Sequence, residues 1–224
     1  MMAIAPSPTQ TDSVQGTQDR TPPLEFFDRE FILRRFGSTV ADYDRIANED
    51  TRLELLDGIL IMHSPANVGH ETQFKFLLKL LDGFVEPRSL SIVLGSRIAM
   101  KLGEKKRFEP DLLFIKRESL HRLGEVFLEG PADLVIEILS PATRDYDLGE
   151  KRKAYADAGV PEYWMIDGTN SRFLVDRPAG TRATEMTSGR YDAAAIPGFW
   201  LDVAWMWQRP LPDVHQCLEK VNAK

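Results

Sequence analysis

A single cysteine, Cys217, among 224 residues rules out an internal disulfide framework. Long hydrophobic runs are also missing: no stretch approaches the roughly 18 apolar residues of a membrane-spanning helix. The first 23 residues, MMAIAPSPTQTDSVQGTQDRTPP, hold no apolar run beyond Ala3-Ile4-Ala5, which is too little for the core of a secretory signal. They are rich in Pro, Ser, Thr and Gln and cannot offset the entropy of ordering, so residues 1–23 are expected to be a flexible leader. Internal repeats are absent, and so is an excess of positive charge. The net charge of −6 argues against a general nucleic-acid binder. These absences leave the cytoplasm as the expected compartment.

What is present is the composition of a globular protein with one sizeable core, 43% hydrophobic and 28% charged. One domain is expected over 24–210, followed by a C-terminal helix or tail over 211–224. The charge is unevenly spread. From Arg97 to Arg117 seven bases face three acids, a local balance of +4 that leaves −10 for the rest. Such a patch suits phosphate contact, although a solvated hairpin with a charged tip reads the same way.

Leu53-Glu54-Leu55-Leu56 and Ile59-Leu60-Ile61-Met62 flank Asp57-Gly58, a strong hairpin signal. Phe74, Leu77, Leu78, Leu81 and Phe84 recur at three- and four-residue steps and predict an amphipathic helix. SIVLGSRIAMKL and DLLFIK read as strands on either side of the polar segment GEKKRFEP, with Pro110 tolerated at a strand start. ADLVIEILS, YWMID and RFLVD are further strands. One helix is expected between Ser140 and Val160, with Thr143 as N-cap and Gly159 as its stop. The mixture predicts an α+β or α/β sheet packed against a few helices. Three of the four tryptophans cluster near the C-terminus and suit a core or dimer interface better than a ligand cage.

Glu137 interrupts the apolar run LVIEIL, where an unpaired carboxylate would cost several kcal/mol. It is either held in a buried ion pair or hydrogen-bonded, or it faces a bound cation. Asp111, just after Pro110, opens a second strand-like run, and two neighbouring strands can bring both acids to one side of a sheet. Two carboxylates completed by water and phosphate oxygens are what Mg²⁺ requires. In the next helix Lys151 shares a face with Leu148 and Tyr155, whereas Lys153 lies with Glu150 and Asp157 on the outward face. Lys151 is then an active-site lysine, or it only pairs with Asp147. Glu54 interrupts its own strand as Glu137 does and can reach the metal, or remain a surface acid. His70 is a candidate substrate contact or a packing residue. Arg107, in the basic stretch, and Arg144, opening the later helix, join His70 as candidate substrate contacts.

EPDLLFI followed by DLVIEILSPATRDYDLGEKRKAYADAGVPEYWMID closely resembles the Uma-two family of restriction endonucleases, a branch of the PD-(D/E)XK nuclease superfamily. LELLDGILIMHSP and the helix from His70 match its N-terminal half, and the likeness spans about residues 45 to 205. It implies a restriction-endonuclease-like mixed central sheet flanked by helices, with an N-terminal hairpin. It also implies Glu54, Asp111 and Glu137 as the acidic, metal-binding cluster. One departure stands out: the superfamily's E-x-K would need lysine at 139, where this chain has Leu139. The resemblance puts the lysine on the following helix, at Lys151.

The expectation is therefore an endonuclease dependent on Mg²⁺, or Mn²⁺, acting on DNA, with Glu54, Asp111, Glu137 and Lys151 as catalytic residues. Cutting both strands favours a homodimer. The competing readings are a non-catalytic nucleic-acid-binding or regulatory protein on the same fold and an assembly module built on the tryptophan-rich end.

Overall fold

The computed structural model describes residues 30–47, 51–95, 98–177 and 183–223, so the expected leader and Arg97 lie outside the described residues. Two six-stranded sheets carry the chain. The first is built around the hairpin: β1 (Ile32–Phe36), β2 (Leu53–Leu56) and β3 (Ile59–His63), with helix α1 (Val40–Ile46) between β1 and β2. Asp57 and Gly58 both have positive φ (46° and 92°), the requirement of a two-residue type I′ turn, and Leu56 pairs with Ile59 across it. After helix α2 (Val68–Val85) the chain alternates between sheets. Strands β4 (Ser91–Gly95) and β7 (Leu112–Lys116) belong to the central sheet; β5 (Ala99–Lys101), β6 (Lys106–Phe108) and β8 (Phe127–Glu129) extend the hairpin sheet.

The central sheet is completed by β9 (Leu134–Ile138), β10 (Tyr163–Asp167), β11 (Arg172–Asp176) and β12 (Thr184–Met186), in the order β12-β11-β10-β9-β7-β4. β9 lies in the middle, parallel to β10 and antiparallel to β7, which explains its continuous apolar run. Leu134, Ile136 and Ile138 enter one core with α2; Val135 and Leu139 enter a second core between the two sheets. On the α2 side a small hairpin, β13 (Arg190–Asp192) and β14 (Trp200–Asp202), closes the core together with Trp205. Helix α5 (Val214–Asn222) buries Cys217 and Val221 there, so the segment beyond residue 210 packs on its own chain.

Three local expectations are corrected. SIVLGSRIAMKL is divided between β4 and β5 in different sheets, and the polar segment after it supplies β6. The buried stripe of α2 is Gln73, Phe76, Leu77, Leu80, Leu81, Phe84 and Val85, with Phe74 and Leu78 at its margin, because α5 covers a further part of the helix. The helix after β9 is composite: a turn α3 (Arg144–Tyr146), a wide π turn (Asp147–Lys151) and α4 (Arg152–Asp157). Thr143 makes no capping bond to it; its Oγ1 instead accepts from the Ser140 N–H at 3.1 Å. Gly159, at φ 77°, ends it as expected, with Val160 N–H returned to the Tyr155 carbonyl at 3.0 Å and Gly159 N–H to the Ala156 carbonyl at 3.1 Å.

No described helix is long and apolar enough to cross a membrane. The end of β4 passes so close to α2 that a Cβ on Gly95 would stand 2.7 Å from the Phe74 ring and 2.9 Å from Leu112. Gly95→Val is therefore expected to destabilise the domain by about 1–3 kcal/mol through overpacking. Urea unfolding measures this, and a variant as stable as the parent would contradict the packing described.

Candidate active site

The register of β7 and β9 sets the geometry. Leu112 faces Ile136 and Leu113 faces Val135, so one step further Asp111 comes opposite Glu137. Directly opposed residues of an antiparallel pair project to the same face. That face is the second core, shared with Val135 and Leu113, and looks toward the composite helix and the hairpin sheet. The Ile138 N–H donates to Asp111 Oδ2 at 2.7 Å and fixes the aspartate against β9.

Glu54 approaches from the hairpin sheet. Leu53 and Leu55 pack beneath α1, so alternation turns Glu54 to the other face. Lys151 stands between the sheets with its Nζ 2.8 Å from Glu54 Oε1, 2.7 Å from Glu137 Oε1 and 3.7 Å from Asp147 Oδ1. Its side chain is 0% exposed. The π turn lies immediately before α4 and brings Asp147 and Lys151, four residues apart, to the same ion cluster. Wide turns of this kind recur at functional sites. Lys153, 75% exposed, pairs with Asp157 in the surface geometry expected for an outward residue.

Arg52 was not foreseen. It precedes Glu54 by two residues along extended chain, a spacing that places both on one face and could have revealed it. Its Nη2 lies 2.9 Å from Asp111 Oδ1, 3.6 Å from Glu137 Oε2 and 3.0 Å from the Glu109 carbonyl. Tyr146 and Tyr155 are further additions, donating to Glu54 Oε2 and Glu137 Oε1 respectively, each at 2.9 Å. His63 Nε2 lies 3.1 Å from Glu54 Oε2, and the Glu109 N–H donates to Glu54 Oε1 at 3.1 Å.

Several expected residues are placed differently from the sequence reading. Glu54 is not a surface acid: it is fully buried, and both oxygens are engaged by Lys151, the Glu109 N–H, His63 and Tyr146. Lys151, on the inward face as expected, pairs with Glu54 and Glu137 as well as lying 3.7 Å from Asp147. Arg107 is buried and donates to the Gly103 and Lys106 carbonyls, so it braces its own hairpin and does not face a substrate. Arg144 is half-buried, its Nε donating to Asp167 at 2.9 Å. His70 does join the cluster, with Nε2 3.2 Å from Asp111 Oδ2. A cleft of about 140 Å³ reaches the cluster from solvent, lined by Arg52, His70, Phe74, Pro110 and Asp111 among others.

Burial alone would raise the pKa of Glu54 and of Asp111, but opposing charge prevails. Lys151 and His63 hold Glu54 well below the usual carboxylate range, and Arg52 and His70 do the same for Asp111. Glu137 goes the other way. Burial, reinforced by Asp111 and Asp147 against the pull of Lys151, pushes it up to about 8. Lys151 would lose its proton through burial but for Glu137, Glu54 and Asp147, which hold it above the usual lysine value.

Among the described residues no three His, Cys, Asp or Glu side chains are grouped to hold a metal ion. The donor set that does converge is smaller: Asp111 Oδ1, Glu137 Oε2 and the Glu109 carbonyl surround one guanidinium nitrogen. Two carboxylates and a carbonyl are hard oxygen donors, the chemistry that suits Mg²⁺ with water completing its shell. Those residues fit a divalent cation, whereas Glu54, with both oxygens committed, does not.

A mixed sheet with an acid pair on adjacent strands and a helix-borne lysine against it has the restriction-endonuclease-like architecture of nucleases. The Uma2 family model, described as "Putative restriction endonuclease", matches residues 40–204, and the chain belongs to that family. Among solved structures it is similar to a protein from Anabaena variabilis titled a "putative nuclease belonging to DUF820". The TM-score is 0.67 at 16% identity, covering 75% of this chain and 97% of that one, a likeness of fold. No curated protein matches the chain significantly.

Two predictions follow from the cluster itself. Lys151→Met should destabilise the protein by about 3–5 kcal/mol, because it leaves buried carboxylates without their cation, whereas Lys153→Ala changes stability by less than about 0.5 kcal/mol. Chemical denaturation decides it, and equal effects would refute the burial of Lys151. The second concerns pH. The folded pKa of Glu137, about 8, stands above the ordinary 4.5, so the folded state retains a proton that the unfolded state releases. Its contribution is present below about pH 4.5 and lost as pH rises through about 8. Glu54 and Asp111, shifted downward, contribute above their ordinary values and so do not mask this window. With a chelator present, stability should fall from about pH 5.5 to about 8.5, less steeply in Glu137→Gln. Parallel curves for the two proteins would contradict the assignment.

Proposed function

We propose that the protein is a divalent-metal-dependent endonuclease that hydrolyses phosphodiester bonds in DNA, with Mg²⁺ or Mn²⁺ as its cofactor. The observation that carries this reading is the convergence of Asp111 Oδ1 and Glu137 Oε2 on the guanidinium of Arg52, which with Asp111 lines a solvent-reached cleft. Asp111 and Glu137 would hold the cation, assisted by the Glu109 carbonyl. When bound, such a cation polarises a phosphoryl oxygen and lowers the pKa of an attacking water.

The chain's own residues do the remaining work. Lys151 neutralises and orients Glu137 from behind; Glu54, Tyr146 and His63 fix Lys151 and its surroundings without touching substrate. Tyr155 holds Glu137 Oε1, leaving Oε2 on the side of Arg52. His70, on the cleft wall, orients Asp111 and presents an imidazole where a phosphate would enter. Its pKa is raised, despite burial, by its bond to Asp111, which favours the cationic form beside an anionic substrate. Cleavage of both strands would call for two such sites, supplied by a homodimer.

A second reading has its own support. Arg52 and Lys151 already compensate the carboxylates, so the cluster can persist as a structural ion-pair network in a nucleic-acid-binding protein without catalysis. Incubation with DNA and RNA in Mg²⁺ and in Mn²⁺ separates the readings. DNA cleavage should occur in either metal and fall by at least about 100-fold in Asp111→Asn, with Lys153→Ala near the parent rate. Binding without metal-dependent cleavage would favour the second reading, and cleavage that survives Asp111→Asn would refute the site.

A further inference from the structure

Three oxygens that suit a hard cation are already gathered around a cation that belongs to the protein. Arg52 Nη2 is within 3.0 Å of Asp111 Oδ1 and of the Glu109 carbonyl and 3.6 Å from Glu137 Oε2. The other oxygens of the two acids are occupied elsewhere: Asp111 Oδ2 by His70 and the Ile138 N–H, Glu137 Oε1 by Lys151 and Tyr155. Arg52 thus holds the oxygens that a divalent ion would use, and both cations cannot occupy that seat.

The mobility needed to exchange them is confined to one side chain. The Arg52 carbonyl accepts from the His63 N–H at 3.3 Å, tying its backbone to the hairpin sheet. Its side chain is 25% exposed and lines the cleft, whereas Lys151 is enclosed at 0%. Of the two cations facing Glu137, Arg52 can turn outward and Lys151 cannot. A guanidinium so displaced enters the cleft beside His70, where its planar donors match a phosphate.

We propose that Arg52 is the exchangeable cation of this site: it keeps Asp111, Glu137 and the Glu109 carbonyl gathered until a divalent ion arrives, yields that seat, and turns into the cleft to bind a backbone phosphate. The inference rests on the metal-dependent reading above. It gives one residue two opposite effects, competition with the metal and attraction of nucleic acid. A merely structural arginine would weaken both when removed.

The test compares the parent, Arg52→Gln and Asp111→Asn, with Mn²⁺ binding followed by electron paramagnetic resonance. If the seat is free of Arg52 in about one molecule in ten, Arg52→Gln should bind Mn²⁺ about tenfold more tightly. In Ca²⁺ it should bind a DNA duplex more weakly, with a log–log salt slope shallower by about 1. Should Arg52→Gln fail to fold, ¹⁵N spectra of parent arginine side chains give the answer. Addition of Mg²⁺ should shift the Arg52 guanidinium signals, identified through Arg52→Lys. Mn²⁺ affinity that is unchanged or lower in Arg52→Gln, unaltered DNA binding, or guanidinium signals indifferent to Mg²⁺ would each overturn the proposal. If Asp111→Asn binds Mn²⁺ as the parent does, the metal reading itself falls and the proposal with it; if only Arg52→Gln is without effect, the exchange alone is wrong.

Discussion

The ammonium of Lys151, enclosed between Glu54 of one sheet and Glu137 of the other, is the interaction on which the arrangement turns. A buried lysine with no counter-ion would give up its proton, and a buried glutamate with no cation would take one up. Each is tolerable only because the others are present, so the position of the hairpin sheet, the course of the composite helix and the ionic state of the centre are one problem. The tyrosines complete the enclosure. Tyr146 satisfies the Glu54 oxygen that Lys151 does not contact and Tyr155 shares Glu137 Oε1 with it, while Tyr155 packs edge-on against Phe108 and Tyr163 in the core between the sheets.

Burial of a carboxylate does not by itself identify a site. Glu162 is as deeply buried as Glu137, yet it accepts from Trp164 Nε1, Tyr191 Oη and the Ala195 N–H. Its role is to bind the small C-terminal hairpin to the central sheet. Glu137 differs in having two cations on it, one enclosed and one at a solvent-reached wall, and in lying opposite a second acid. That asymmetry, an immobile cation behind and a movable one in front, turns an ion-pair cluster into a place where a ligand can be admitted.

The position of Asp111 shows how little of such a site a chain need encode locally. It depends on the register of two antiparallel strands, and a slip of one residue would send the carboxylate into the apolar core with α2. The register is held by apolar pairs on both faces of β7 and β9, which make any slip expensive. Precision in the polar centre is therefore supplied by its apolar surroundings.

Much was legible in the sequence because it is decided by local chemistry. Asp57-Gly58 specifies its turn through positive φ, the apolar run around Glu137 marks a strand covered on both faces, and helical spacing separates Lys151 from Lys153 even though a π turn intervenes. The family motifs likewise lie in continuous stretches. What tertiary structure alone decided are relations between distant segments. The strands after α2 are shared between two sheets; Arg107, read as part of a basic patch, bends back onto its own hairpin carbonyls; Glu54 is sealed against Lys151, 97 positions away, instead of remaining a surface acid. Arg52 belongs there in part: its two-residue spacing puts it on the face of Glu54, but its neighbours Asp111 and Glu137 are brought to it by sheet pairing. Local rules fix which way a side chain points from its own backbone; only packing of the two sheets fixes what it points at.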